Sequence, residues 1–152
     1  MNGIPPGLPL TDPQTSAILL TLIGALFLAR VLGQLLVVTR EPAWLPPMAE
    51  WYSGLLPYPQ LLATQLMIVA AMLTVIVGLL AGADWAVGPH RALGSWLIAV
   101  AYVYAALMGV RYAVRMIRRP EQRWLGGCIP IAFHVVLATW LFVLGSQWRP
   151  TA

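Results

Sequence analysis

Lysine is missing from these 152 residues, and asparagine occurs only at Asn2. Charged side chains make up 9% of the chain, where a soluble domain carries about a quarter. Set against 60% hydrophobic residues, that shortage excludes a free soluble enzyme and a disordered tail. The single cysteine, Cys128, excludes an internal disulfide and any CxxC metal or redox pair. No glycine-rich phosphate loop, HExxH helix or GxSxG elbow occurs, so nothing points to catalysis and a hydrolase is not expected. No Asp or Glu lies within a long apolar run, which argues against a proton- or sodium-coupled carrier. All nine cations are arginine and gather toward the ends of apolar runs. They form no soluble basic patch, and nucleic acid is not an expected partner.

What is present is apolar length. Four segments reach the ~20 residues that a bilayer crossing needs: about Ser16–Val38, Leu61–Ala81, Ala92–Ile117 and Cys128–Gln147. Lipid offers no partners to backbone groups, and the runs lack strict alternation, so the spans are expected to be helices. The expected fold is an all-α integral membrane protein: one four-helix transmembrane domain over 16–148, after an irregular proline-rich tail at 1–15. That tail has no positive start and does not read as a secretory signal. Residues 82–91 and 118–127 form short turns. The link 39–60 carries five prolines with Trp44, Trp51, Tyr52 and Tyr58. It is too apolar for a solvated loop and too proline-rich to span, so it is expected along the interface, with a helical turn near Met48–Leu55.

Arginine bias sets the expected orientation. Links 39–60 and 118–127 share one side with Arg40, Arg118, Arg119 and Arg123, reinforced by Arg111 and Arg115. The other side holds only Arg91 and Arg149. The positive-inside rule places the two links in the cytoplasm and both termini outside, in a bacterial-type inner membrane. Trp44, Trp51 and Trp124 would belt the cytoplasmic interface, and Trp85, Trp96 and Trp148 the outer one. Small residues recur at four-residue spacing, as Ala25, Ala29 and Gly33 in the first span and as Ala101, Ala105, Gly109 and Ala113 in the third. These stripes predict that the first and third spans pack together. An echo between 26–44 and 107–124 aligns Arg30 with Arg111 and Gln34 with Arg115, suggesting a parallel hairpin duplication.

Polar residues within spans are costly and mark candidate sites. Arg30, Gln34, Gln65, Arg111, Tyr112, Arg115 and His134 all fall in the cytoplasmic half by depth, while the outer half is nearly bare. One expectation is structural: Arg111 and Arg115 snorkel to headgroups, Arg30 pairs with Glu41 or Glu50, and His134 bonds a neighbouring helix. The other is a ligand site in which Arg30, Gln34, Gln65, Arg111, Arg115 and His134 hold a lipid phosphate, a quinone or an anion. The link residues Glu41, Glu50, Trp51, Tyr52 and Tyr58 would lie beside it. No metal cluster is expected. His134 is the one candidate ligand for a haem or pigment, with Met67 at similar depth and His90 on the opposite side.

The segment LIGALFLARVLG (22–33) resembles the glycine–arginine first helix of the small four-helix fluoride channels. Those channels also carry an asparagine in the second helix, and no span here has one, so the resemblance implies no function. The expected role is a non-catalytic accessory or assembly subunit of a larger membrane complex, in contact with lipid and with other subunits or copies of itself. The alternatives are a quinone-, haem- or pigment-binding redox subunit and a small oligomeric anion channel filtered by Arg30 and Arg111.

Overall fold

The computed structural model describes residues 12–51, 56–118 and 128–149. Residues 1–11 of the expected tail, Tyr52, and the 119–127 part of the basic link with Trp124 lie outside them. Among the described residues helices are the only regular secondary structure: α1 (Pro13–Arg40), α2 (Met48–Trp51), α3 (Tyr58–Leu80), α4 (Asp84–Val87), α5 (Arg91–Arg118) and α6 (Ile129–Trp148). α1, α3, α5 and α6 are long and apolar enough to cross a membrane, which makes this a membrane protein with four candidate spanning helices.

Prolines open three of the four long helices: Pro13 in α1, Pro59 in α3 and Pro130 in α6. In a first turn the missing N–H is no loss and the fixed φ favours the helix. α1 therefore starts three residues before the expected Ser16. Its N-cap is Asp12, whose carboxylate accepts the Thr15 amide at 2.7 Å. α1 stops at Glu41, which takes a left-handed conformation (φ 44°) and returns its N–H to the Val37 carbonyl; Pro42 then forbids continuation.

The Thr15 amide holds the Asp12 carboxyl below its ordinary pKa. A depressed folded value contributes stability above the unfolded pKa, and that stability is lost as pH falls through the folded one. The first turn of α1 is therefore expected to fray on acidification below the usual carboxylate range. Asp12→Asn should keep the cap and abolish the pH dependence, and Asp12→Ala should fray the turn at every pH. The Thr15 amide resonance followed through an acid titration checks this, and a flat wild-type profile would refute it.

The long helices form a row in the order α5, α6, α1, α3. α1 and α6 are central and the most buried, with α3 and α5 on the flanks. A core of Leu20, Phe27, Val31, Met72, Ile76, Trp140 and Val143 joins α1, α3 and α6. The expected pairing of the first and third spans does not occur: α5 packs on α6, not on α1. The cause is a glycine crossing that the small-residue stripes did not mark. A Cβ on Gly94 would lie 2.7 Å from the Gly145 carbonyl oxygen, and one on Gly145 would lie 2.9 Å from that of Gly94. The two backbones touch, and only glycine permits it. Ala101 and Ala105 of the stripe face α6 across a groove shared with Val135, Ala138 and Phe142. Gly109, farther along the same stripe, has open space around it.

At the Gly94–Gly145 end, the chain between α3 and α5 is fastened to the tip of α6. The Trp148 indole donates to the Ala86 carbonyl at 2.7 Å, the His90 amide donates to the Trp148 carbonyl at 2.9 Å, and His90 Nε2 donates to the Trp85 carbonyl at 2.8 Å. Ser16 and Gln147, both buried, bond each other across α1 and α6 at 3.0 Å. This half is thus not bare of polar groups, as depth sorting had suggested. Ser16, Gln147, His90 and Trp148 are paired there, with one another or with backbone carbonyls. Two belt assignments also change, because Trp51 and Trp148 are packed inside while Trp44, Trp85 and Trp96 are exposed.

Candidate functional site

The opposite half gathers Arg30 and Gln34 from α1, Gln65 and Tyr58 from α3, Trp51 from α2 and Phe133 from α6. α1 presents Arg30, Gln34 and Val37 on one buried face, because residues three and four apart share a helix side. Gln34 is fully buried, Gln65 is 3% exposed and Arg30 6%. The Trp51 indole lies over α1 at Gly33, where a Cβ would come within 2.9 Å of the ring. Its N–H donates to the Pro46 carbonyl at 3.0 Å. That fastening delivers the Trp51 carbonyl to α1, where Arg30 Nη2 and Gln34 Nε2 both donate to it at 3.5 Å.

The amides run in one direction. A carbonyl can only accept, so Trp51 fixes Gln34 with its Nε2 toward the backbone and its Oε1 toward α3. Gln65 Nε2 then donates to Gln34 Oε1 at 3.0 Å, and Gln65 Oε1 is left facing onward. It has no partner, and neither does Arg30 Nε or the buried Tyr58 hydroxyl. Each such orphan costs about 1–3 kcal/mol, and more where the group is charged. Three in one place make the site unsaturated. The two bonds to the Trp51 carbonyl are at the long limit and do not compensate.

Arg30 is the most expensive member. Among the described residues it has no carboxylate partner, which corrects the expected pairing with Glu41 or Glu50. Glu41 is exposed and spent on ending α1, and Glu50 lies half-buried in α2. The guanidinium carbon stands 5.6 Å from the centroid of the Phe133 ring, a cation–π contact, and it interacts electrostatically with the Tyr58 hydroxyl.

The expected ligand set therefore divides. Arg30, Gln34 and Gln65 come together with Trp51 and Tyr58. Arg111 and Arg115 stay on α5, half-buried, and His134 belongs with α5 through its tilted contact to the Tyr104 ring at 5.6 Å. His134 Nδ1 donates to the Pro130 carbonyl of its own helix, since a carbonyl only accepts. Met67, the second haem ligand considered, is 67% exposed on α3. No group of three metal-ligating side chains occurs among the described residues. Arg30 and Arg111, aligned by the internal echo, occupy unlike settings, one in the interior and one at the edge of the row.

Reading the sequence missed three members. Phe133 was hidden beside the more conspicuous His134. The Trp51 carbonyl has no sequence signature. Gly33 looked like a helix–helix contact and proves to be a seat for an indole. No protein-family model matches this chain, and comparison with curated proteins and with solved structures found no match.

Proposed function

We propose that the chain is a non-catalytic accessory or assembly subunit of a larger membrane complex, with α5 as its docking edge. One observation carries this reading. Only Gly94 and Ala101 of the 28-residue α5 are buried. Tyr102, near its midpoint, is 63% exposed and has no hydrogen-bond partner among the described residues. Lipid tails cannot bond a phenol, whereas a neighbouring helix can, and the open small positions Gly109 and Ala113 allow close backbone approach. The proposal includes a bacterial-type inner membrane with both termini outside and the 39–60 link lying along the cytoplasmic interface.

A redox role is the second reading, favoured by His134, whose Nδ1 is held by the Pro130 carbonyl while its ring meets Tyr104. A haem or pigment held there would colour the purified protein.

Native mass spectrometry after gentle extraction from the source membrane tests the proposal. A photo-crosslinker at position 102 or 109 should capture a different polypeptide at fixed ratio, and one at Leu66 on α3 should capture lipid alone. A lone chain or homo-oligomer with no such capture would overturn it.

A further inference from the structure

The three unsatisfied atoms at the α1–α3 interface specify a partner. Arg30 Nε and the Tyr58 hydroxyl are donors in search of an acceptor, and Gln65 Oε1 is an acceptor in search of a donor. Arg30 also brings a positive charge that no described carboxylate balances. Water would satisfy the hydrogen bonds and leave that charge uncompensated. A quinone would offer two acceptors, no negative charge and nothing for Gln65. The combination asks for an anion that also carries a hydroxyl.

Position narrows it further. Tyr58 is the first residue of α3, and α3 begins without a side-chain cap, so the positive end of its dipole lies here. Arg30 lies ten residues from the end of α1 at Arg40, about 15 Å along the axis, and Tyr58 opens α3 beside it, so the site lies on the headgroup side of the helix midpoints. The anions present at that depth are phosphate esters, and a guanidinium fork fits phosphate oxygens.

We infer that Arg30, Tyr58 and Gln65 form a binding site for a hydroxyl-bearing phosphate anion, supplied by a glycerol-type phospholipid headgroup or by free phosphate. Arg30 and Tyr58 donate to the phosphate oxygens, and Gln65 Oε1 accepts from the hydroxyl. The Trp51–Gln34–Gln65 relay is what leaves that buried acceptor as the unpaired end of the amide chain. The site stands independently of any docking by α5.

The test uses the full-length chain in detergent and native mass spectrometry with three lipids of equal acyl length. Phosphatidylglycerol has charge and hydroxyls, phosphatidylmethanol the same charge without hydroxyls, and phosphatidylcholine no net charge. The wild type should retain phosphatidylglycerol about ten-fold better than phosphatidylcholine, with phosphatidylmethanol between them. Tyr58→Phe, a loss of one oxygen, and Arg30→Gln should each weaken phosphatidylglycerol retention about ten-fold. Gln65→Leu should erase the difference between phosphatidylglycerol and phosphatidylmethanol. Arg118→Gln, an exposed arginine, should change nothing. A parallel titration with inorganic phosphate separates the sources: displacement of the lipid assigns free phosphate, and no displacement assigns the headgroup. Equal retention of all three lipids by the wild type, together with no response to phosphate, overturns the inference. So does undiminished retention in both Tyr58→Phe and Arg30→Gln.

Discussion

Gly145→Ala should destabilise the protein by about 1–3 kcal/mol, because the added methyl has no room and nothing nearby can yield cheaply. A Cβ there meets the Gly94 carbonyl at 2.9 Å, Ile98 Cγ1 at 2.9 Å and the Ile98 backbone nitrogen at 3.1 Å. Two of these are main-chain atoms of α5, so relief requires the whole helix to move away. Gly94→Ala presses on the same crossing from the other side, meeting the Gly145 carbonyl at 2.7 Å and the Arg149 nitrogen at 2.8 Å. The double variant should fall short of the sum of the two, since the first substitution already separates the backbones. Gly109→Ala is the contrast. Nothing lies within 4 Å of its Cβ position, and removing a helical glycine should leave stability unchanged or raise it by about 0.5–1 kcal/mol. Thermal unfolding in a single detergent compares the three. A Gly145→Ala midpoint equal to that of wild type would show that α5 and α6 do not touch through their backbones.

Gln34→Leu should be strongly destabilising, and Gln65→Leu added to it should restore much of the loss. The single change removes one donor from the Trp51 carbonyl and strands Gln65 Nε2, beside an Oε1 that already lacks a partner, in a site where Gln65 is 3% exposed. At about 1–3 kcal/mol for the stranded amide nitrogen, the loss matches that expected of Gly145→Ala. The double change replaces the amide pair with two apolar side chains of similar size, while Arg30 still serves the Trp51 carbonyl. A buried polar network half removed is worse than one removed entirely. A double-mutant cycle on unfolding free energies gives the coupling directly. Additive losses would mean that the Gln34–Gln65 bond does not form.

The same relay shows where sequence reasoning succeeded and where it stopped. Four spans were legible because apolar length survives any packing arrangement, and depth was legible because it runs linearly along a helix. Depth alone placed Arg30, Gln34 and Gln65 in one layer. It said nothing of azimuth, which advances 100° per residue and acquires meaning only from the neighbours. Arg111 and His134 lie in that layer but face a different helix pair. Gly94 and Gly145 went unnoticed because each is a single glycine with no four-residue repeat, whereas the repeating stripes drew attention to a pairing that does not form. Trp51 and Trp148 read as interface markers because their indole acceptors are backbone carbonyls, of Pro46 and Ala86, which no side-chain pattern announces. The early start of α1 was written in Asp12–Pro13, and apolar counting overlooked it.

The row order has a consequence for biogenesis. Of the four long helices described, its two central members, α1 and α6, are the earliest and the latest in chain order, and the Ser16–Gln147 bond closes a separation of 131 residues. Early contacts are confined to two hairpins: α1 with α3, and later α5 with α6. Until α6 is inserted, one flank of α1 faces lipid with Arg30 lacking its Phe133 ring. Assembly then ends as a docking of preformed hairpins, a step of high contact order and the slowest one expected in the pathway. A chain stalled before residue 129 would hold half of its helices in native pairs and none of its central seam.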